Sequence, residues 1–184
     1  MSVLTVTDEF KRISALPRRA DRDWEAIAEQ LTAILKTPNG TMTLRPIQAQ
    51  ALIEAGENGG MFGNIVVGGG KTLLSLLLPY IFDAKRAILL LPASLIQKTV
   101  DAGRELAKHW VIRMPMLVSY DELGRVKAEN LLEGRRPDLI MGDEGHRLKS
   151  KKAACTRRVM RYIKNNPETR VCIFSGTMMK KSVH

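Results

Sequence analysis

The sequence predicts an α/β protein with a mostly parallel central sheet, helices on both faces and further helices at the N-terminus. Three observations predict it. After Phe62, short apolar runs alternate with longer amphipathic ones, the pattern of strand and crossover helix. A glycine run, Gly68-Gly69-Gly70-Lys71-Thr72, joins the apolar stretch Met61–Val67 to Leu73-Leu74-Ser75-Leu76-Leu77-Leu78, giving strand, loop and buried helix in that order. Asp143-Glu144 closes another apolar run, Asp138-Leu139-Ile140-Met141-Gly142.

The elements follow in chain order. Trp24, Ile27, Ala28, Leu31, Ile34 and Leu35 recur at helical spacing, so Ala20–Lys36 reads as an amphipathic helix with Trp24 in the core. Thr37-Pro38-Asn39-Gly40 ends it, and a second helix starts at Arg45-Pro46, where proline's missing N–H does no harm. Strands are expected near 63–67, 87–91, 115–118, 138–142 and 171–174, with helices near 71–82, 94–109, 121–132 and 150–165. Parallel pairing would bring the glycine loop, Asp143-Glu144 and Ser175-Gly176-Thr177 to the carboxyl end of one sheet, where open α/β sheets bind ligands.

Chemistry follows from those residue types. A glycine loop opening a helix offers backbone N–H groups and the positive end of the helix dipole to phosphates. Lys71 adds a charge at the β- and γ-phosphates, and Thr72 adds a hydroxyl ligand for Mg²⁺. Asp143 can hold the metal and Glu144 can orient and deprotonate an attacking water. The strict phosphate-loop pattern would have glycine at Ile65, so only its second half is present. The expected ligands are therefore ATP and Mg²⁺, with Asp143, Glu144 and Lys71 as the catalytic set.

Composition narrows the class. At 184 residues and 45% hydrophobic, the chain can bury roughly 70% of its unfolded surface. No apolar run approaches the roughly 20 residues of a membrane helix, and the first twelve residues do not resemble a secretory signal, so a cytoplasmic location is expected. Cys155 and Cys172 form no CxxC and read as reduced thiols. Residues 147–184 hold eleven Lys and Arg against one acid, Glu168, a balance equal to the whole net charge of +10. Such asymmetry points to a polyanion, and with aromatic residues at 5%, backbone tracking is favoured over base stacking. The last helix, Ser150–Asn165, is expected to bury one face and turn a basic face to phosphates.

From about Leu44 to Thr177 the chain resembles the first RecA-like lobe of superfamily-two helicases, and most of all Swi/Snf-type DNA translocases. Leu44-Arg45-Pro46-Ile47-Gln48 resembles the element ahead of the phosphate loop, Gly68–Thr72 motif I, Leu91–Ile96 motif Ia and Ser119–Leu123 motif Ib. Asp143–Ser150 resembles motif II over its whole length, and Ser175-Gly176-Thr177 motif III. The resemblance implies a RecA-like P-loop fold over 43–184, a helical extension over 1–42, and ATP bound through Arg45, Gln48, Gly68, Gly69, Gly70, Lys71 and Thr72, with Gln48 on the adenine edge. It implies Mg²⁺ on Thr72 and Asp143. His146, Ser175 and Thr177 would couple nucleotide state to nucleic acid, which Pro92, Ser94, Lys98, Ser119, Tyr120, Lys149, Lys151 and Lys152 would meet through its backbone. DNA is the expected track, and a second RecA-like lobe, in cis or in trans, the expected partner. A DNA-binding module that keeps the fold without a motor cycle is the alternative. A small-molecule kinase fits the loop but not the Asp-Glu-Gly-His run.

Overall fold

The structure, a computed structural model, describes residues 7–15, 21–66 and 68–176. Five strands form one all-parallel sheet: β1 (Gly60–Asn64), β2 (Ala87–Leu91), β3 (Met116–Ser119), β4 (Leu139–Gly142) and β5 (Arg170–Ser175), in the order β1-β5-β4-β2-β3. The helices are α1 (Asp8–Ser14), α2 (Trp24–Leu35), α3 (Pro46–Asn58), α4 (Lys71–Ile81), α5 (Ile96–Leu106), α6 (Tyr120–Gly124), α7 (Leu131–Arg135) and α8 (Ala154–Asn165).

Side-chain alternation splits the core into two layers. Leu89, Leu91, Leu139, Met141, Cys172 and Phe174 face one side and pack against α2, α3 and α4, whereas Ile88, Leu90 and Ile140 face the other and meet Leu123, Leu132, Val159 and Tyr162 of α6, α7 and α8. Strands apolar on both faces are what a parallel sheet covered by helices requires. The N-terminal helix α2 belongs to the first layer: Ala28, Leu31 and Leu35 join that cluster, and Thr32 Oγ1 accepts from the Leu44 N–H at 2.9 Å. Asp23 caps α2 by accepting the Ala26 N–H at 3.0 Å, so the helix starts later than its apolar spacing suggests. Trp24 is half-buried beneath the Arg22 guanidinium rather than in the core.

Four expectations need correction. The strand expected at 63–67 lies at Gly60–Asn64, because Gly59, in the left-handed conformation at φ 70°, ends α3 and turns the chain straight into the sheet. It pairs with β5 alone, so it is an edge strand with Phe62 73% exposed, not a buried one. The helix expected at 121–132 breaks after Gly124 into α6, a 3₁₀ turn at Val126–Ala128 and α7, with Arg125 extended at ψ 150°. The regions 94–109 and 150–165 give shorter helices, the first entered through a 3₁₀ turn at Ala93–Leu95 and the second starting at Ala154.

Register fixes where the chemistry lies. Asn64 pairs with Ser175, Leu90 with Gly142, Gly142 with Ile173, and Leu91 with Ser119. The carboxyl ends of all five strands therefore finish at one edge of the sheet, and the glycine loop and Asp143-Glu144 leave from that edge. Among the described residues no helix is long and apolar enough to cross a membrane.

Candidate active site

The loop after β1 is built by its own peptide groups. Ile65 N–H donates to the Ser175 carbonyl at 3.2 Å, prolonging the β1–β5 ladder, and Gly69 N–H donates to the Val66 carbonyl at 3.0 Å, closing the turn. Gly70 caps α4 at φ 91°, a left-handed conformation, and a Cβ there would lie 2.2 Å from Gln48 Nε2. The conformation demands glycine, and a Cβ would also displace the Gln48 amide. The first-turn N–H groups of α4 have no intrahelical acceptor and carry the positive end of the dipole, a setting that favours negative charge. Lys71 Nζ lies across the loop and donates to the Ile65 carbonyl at 3.1 Å, and Thr72 is half-buried one position on.

Arg45 and Gln48 brace the loop from α3. Gln48 Oε1 accepts the Arg45 N–H at 3.0 Å, its Nε2 donates to the Gly69 carbonyl at 3.3 Å, and Arg45 Nη2 donates to the Gly68 carbonyl at 3.0 Å. The structure thus turns both side chains toward the loop.

The acidic pair is held just as firmly. Asp143 N–H donates to the Leu90 carbonyl at 2.8 Å, the Tyr120 hydroxyl donates to the Asp143 carbonyl at 2.6 Å, and Glu144 N–H donates to Asp143 Oδ1 at 3.0 Å. Glu144 sits at φ 55°, a left-handed conformation that carries strain in a non-glycine residue. The chain then enters a 3₁₀ turn at Gly145–Leu148, where a Cβ on Gly145 would meet Ile173 Cγ2 at 2.1 Å; glycine lets this turn lie on β5. Burial raises the pKa of Asp143, reinforced by the Glu144 charge and opposed by the Glu144 N–H bond and the Lys71 charge. A cation at this point would favour the carboxylate further.

His146 Nδ1 lies 3.2 Å from Glu144 Oε2, within ion-pair distance, yet this buried nitrogen has no partner of hydrogen-bond geometry. The ring thus faces Glu144. Ser175, 1% exposed, ends β5, and Thr177 lies outside the described residues. No group of three or more His, Cys, Asp or Glu among the described residues is placed to hold a metal. The donors present, one hydroxyl and one carboxylate beside the glycine loop, fit Mg²⁺, which takes few protein ligands and completes its shell with other oxygens.

The residues expected at nucleic acid divide into two groups. Ser94, Lys98, Lys149, Lys151 and Lys152 are exposed and Pro92 is half-buried. Ser119 and Tyr120 are buried instead: Ser119 Oγ accepts the Glu122 N–H at 2.9 Å as the cap of α6, and the Tyr120 hydroxyl points inward to Asp143. The run Ser119-Tyr120-Asp121-Glu122 carries a helix-capping signature that identifies the first of these roles. The basic face expected on α8 is also partly consumed. Arg158 donates to the carbonyls of Leu123 and Arg125, and Arg161 donates to the Glu129 carbonyl and to Glu133 Oε1. These arginines tie α8 to α6, to α7 and to the 3₁₀ turn between them, where the helix is broken; apolar spacing within α8 carries no sign of it.

No family model matches the chain, and no curated protein matches its sequence. Among solved structures, the fold is similar to that of the UvsW helicase from bacteriophage T4, with a TM-score of 0.62 and 13% identity, over 94% of this chain and 71% of that one. The chain has the α/β fold of a RecA-like helicase domain, with its parallel sheet flanked by helices.

Proposed function

We propose that the chain is the ATP-binding lobe of an ATP-dependent translocase of the superfamily-two, Swi/Snf-like kind, coupling ATP hydrolysis to movement on nucleic acid, with duplex DNA as the track. The observation that carries this reading is the meeting of the Gly68–Thr72 loop and the Asp143-Glu144 turn at the carboxyl end of one parallel sheet.

The loop N–H groups and Lys71 bind and orient the β- and γ-phosphates. Thr72 and Asp143 would hold Mg²⁺, which would supply charge neutralisation at the phosphates. Glu144 Oε accepts a proton from the attacking water, aimed in line with the γ-phosphorus, as the bond to the leaving oxygen breaks. Ser94, Lys98, Lys149, Lys151 and Lys152 meet DNA phosphates, which gives salt-dependent binding with little sequence preference. A second RecA-like lobe supplies the opposite wall of the site and an arginine worth about 10³–10⁵ in rate, so this lobe alone turns over slowly.

Single-turnover hydrolysis with duplex DNA present tests the assignment. Glu144→Gln should retain Mg·ATP binding and lower the rate about 10²-fold or more. Unchanged turnover in that variant would remove Glu144 from the role.

A further inference from the structure

One side of β1 pairs with β5 and the other side is open. The register identifies the peptide groups on that open side. Ile65 N–H donates to the Ser175 carbonyl, and parallel pairing engages every second residue, so Met61, Gly63 and Ile65 turn their N–H and C=O toward β5. Gly60, Phe62 and Asn64 turn theirs outward, where they have no hydrogen-bond partner among the described residues. Only the backbone of a further strand offers a complementary ladder.

Three observations choose a second copy of this chain as that strand. The outward residues are centred on Phe62, with Gly60 two positions before it and Asn64 two after. A copy related by a two-fold axis at Phe62 runs antiparallel and sets Phe62 opposite Phe62 and Gly60 opposite Asn64; facing residues in such pairs exchange both bonds, so every outward group is satisfied. The edge also lacks the devices that keep edges apart: from Asn58 to Gly70 there is no charged residue and no proline, in a chain that is 26% charged. Apolar surface, finally, lines the approach. Phe62 is exposed on the face opposite Met61, and a groove of about 460 Å³ runs beside β1 between Ile47 and Ala51 of α3 and Met61, Ile65 and Val66.

We propose that β1 is a self-association edge, through which two copies join antiparallel about a two-fold axis at Phe62 into one continuous sheet. Facing α-carbons in a hydrogen-bonded pair lie about 5.5 Å apart, which puts the two Phe62 rings side by side on one face of that sheet. Each copy carries a net charge of +10, none of it on the edge itself, so the pair forms against like-charge repulsion and salt strengthens it.

Sedimentation velocity of the wild type across a concentration series, at low and at moderate salt, tests the pairing. The expected result is a monomer–dimer equilibrium that moves toward dimer as salt rises. Phe62→Lys sets like charges opposite each other at the two-fold axis and removes the ring pair, so it should weaken association about tenfold or more. Because the side chain is exposed, that variant should melt with the wild type at dilutions where both are monomeric. Phe62→Cys locates the interface: α-carbons about 5.5 Å apart lie within the span of a disulfide, so oxidation should join position 62 of one copy to position 62 of the other, as read by peptide mapping. A wild type that stays monomeric overturns the proposal and leaves the edge to a strand of another protein. It is overturned equally if Phe62→Lys associates as the wild type does, if association weakens as salt rises, or if oxidised Phe62→Cys is joined through Cys155 instead.

Discussion

Tyr120→Phe removes one oxygen from the interior and isolates the contact that fixes the acidic turn. The hydroxyl, on a side chain 3% exposed, donates to the Asp143 carbonyl at 2.6 Å. Phenylalanine fills the same space but leaves that carbonyl without its donor, at a cost of about 1–3 kcal/mol. For a chain of 184 residues each kcal/mol lowers Tm by about 2–4 °C, so a drop of about 2–12 °C is expected. Tyr162→Phe is the internal control. Tyr162 is equally buried and donates to the Pro137 carbonyl at 3.0 Å, but Thr169 Oγ1 also donates to that oxygen at 3.3 Å. The Pro137 carbonyl keeps a partner, and the cost falls to about 1 kcal/mol. The two variants differ again at the candidate site, since only Tyr120 anchors Asp143. Urea and thermal denaturation followed by circular dichroism, with Mg·ATP titration of each protein, measures both effects. Tyr120→Phe should be the less stable and lose about tenfold in affinity, whereas Tyr162→Phe should bind as the wild type. Equal stability of Tyr120→Phe and wild type, or equal affinity in the two variants, would refute the reasoning.

Other predictions concern charge and thiols. Replacing Lys149, Lys151 and Lys152 together by alanine should reduce the slope of log K for duplex DNA against log salt by about 2–3, since each lost phosphate contact removes about 0.9, and should leave the melting temperature unchanged. Arg158→Ala should do the reverse, lowering stability because the Leu123 and Arg125 carbonyls lose the guanidinium that ties them to α8, the Arg125 carbonyl keeping only the Ala128 N–H, with little change in that slope; a fall in slope without a fall in stability would contradict the assignment. Asp83 accepts hydrogen bonds from Lys85 and Arg113, which together hold its carboxyl down to about 2. A lowered folded-state pKa contributes stability above the ordinary carboxylate range of about 4 that is lost as pH falls toward 2, so Asp83→Asn should flatten the acid limb of the stability curve over that window, and an identical limb would refute the pairing. Burial pushes the Cys172 thiol up to about 12, so native protein at pH 8 should react with a thiol reagent at the half-buried Cys155 first and at Cys172 only on unfolding; equal rates would contradict the packing.

The parallel sheet was legible because its inner strands are apolar on both faces: Ala87–Leu91 and Leu139–Gly142 could not be stable except between two layers of helices. Gly68–Lys71 and Asp143-Glu144 were legible because few other contexts place such residues directly after apolar runs. What the sequence concealed lies in tertiary contacts. Gly60–Asn64 carries little apolar signal, and its pairing with β5 decides that it is the strand, while the more apolar Ile65 and Val66 belong to the turn. Tyr120 and Arg158 look like surface groups in one dimension. Each is directed inward by a carbonyl 23 or more positions away, which local periodicity cannot report. Gln48 shows the same gap: its place before a proline-started helix was readable, but not its bond to Gly69.

The most direct test of the central claim is a calorimetric titration of the wild type and Lys71→Ala with Mg·ATP. Saturable binding at one site is expected in the wild type, weakened about tenfold or more when the Lys71 ammonium is removed from the mouth of the glycine loop. No binding in the wild type, or equal affinity in the two proteins, would contradict the assignment of this sheet edge as an ATP site.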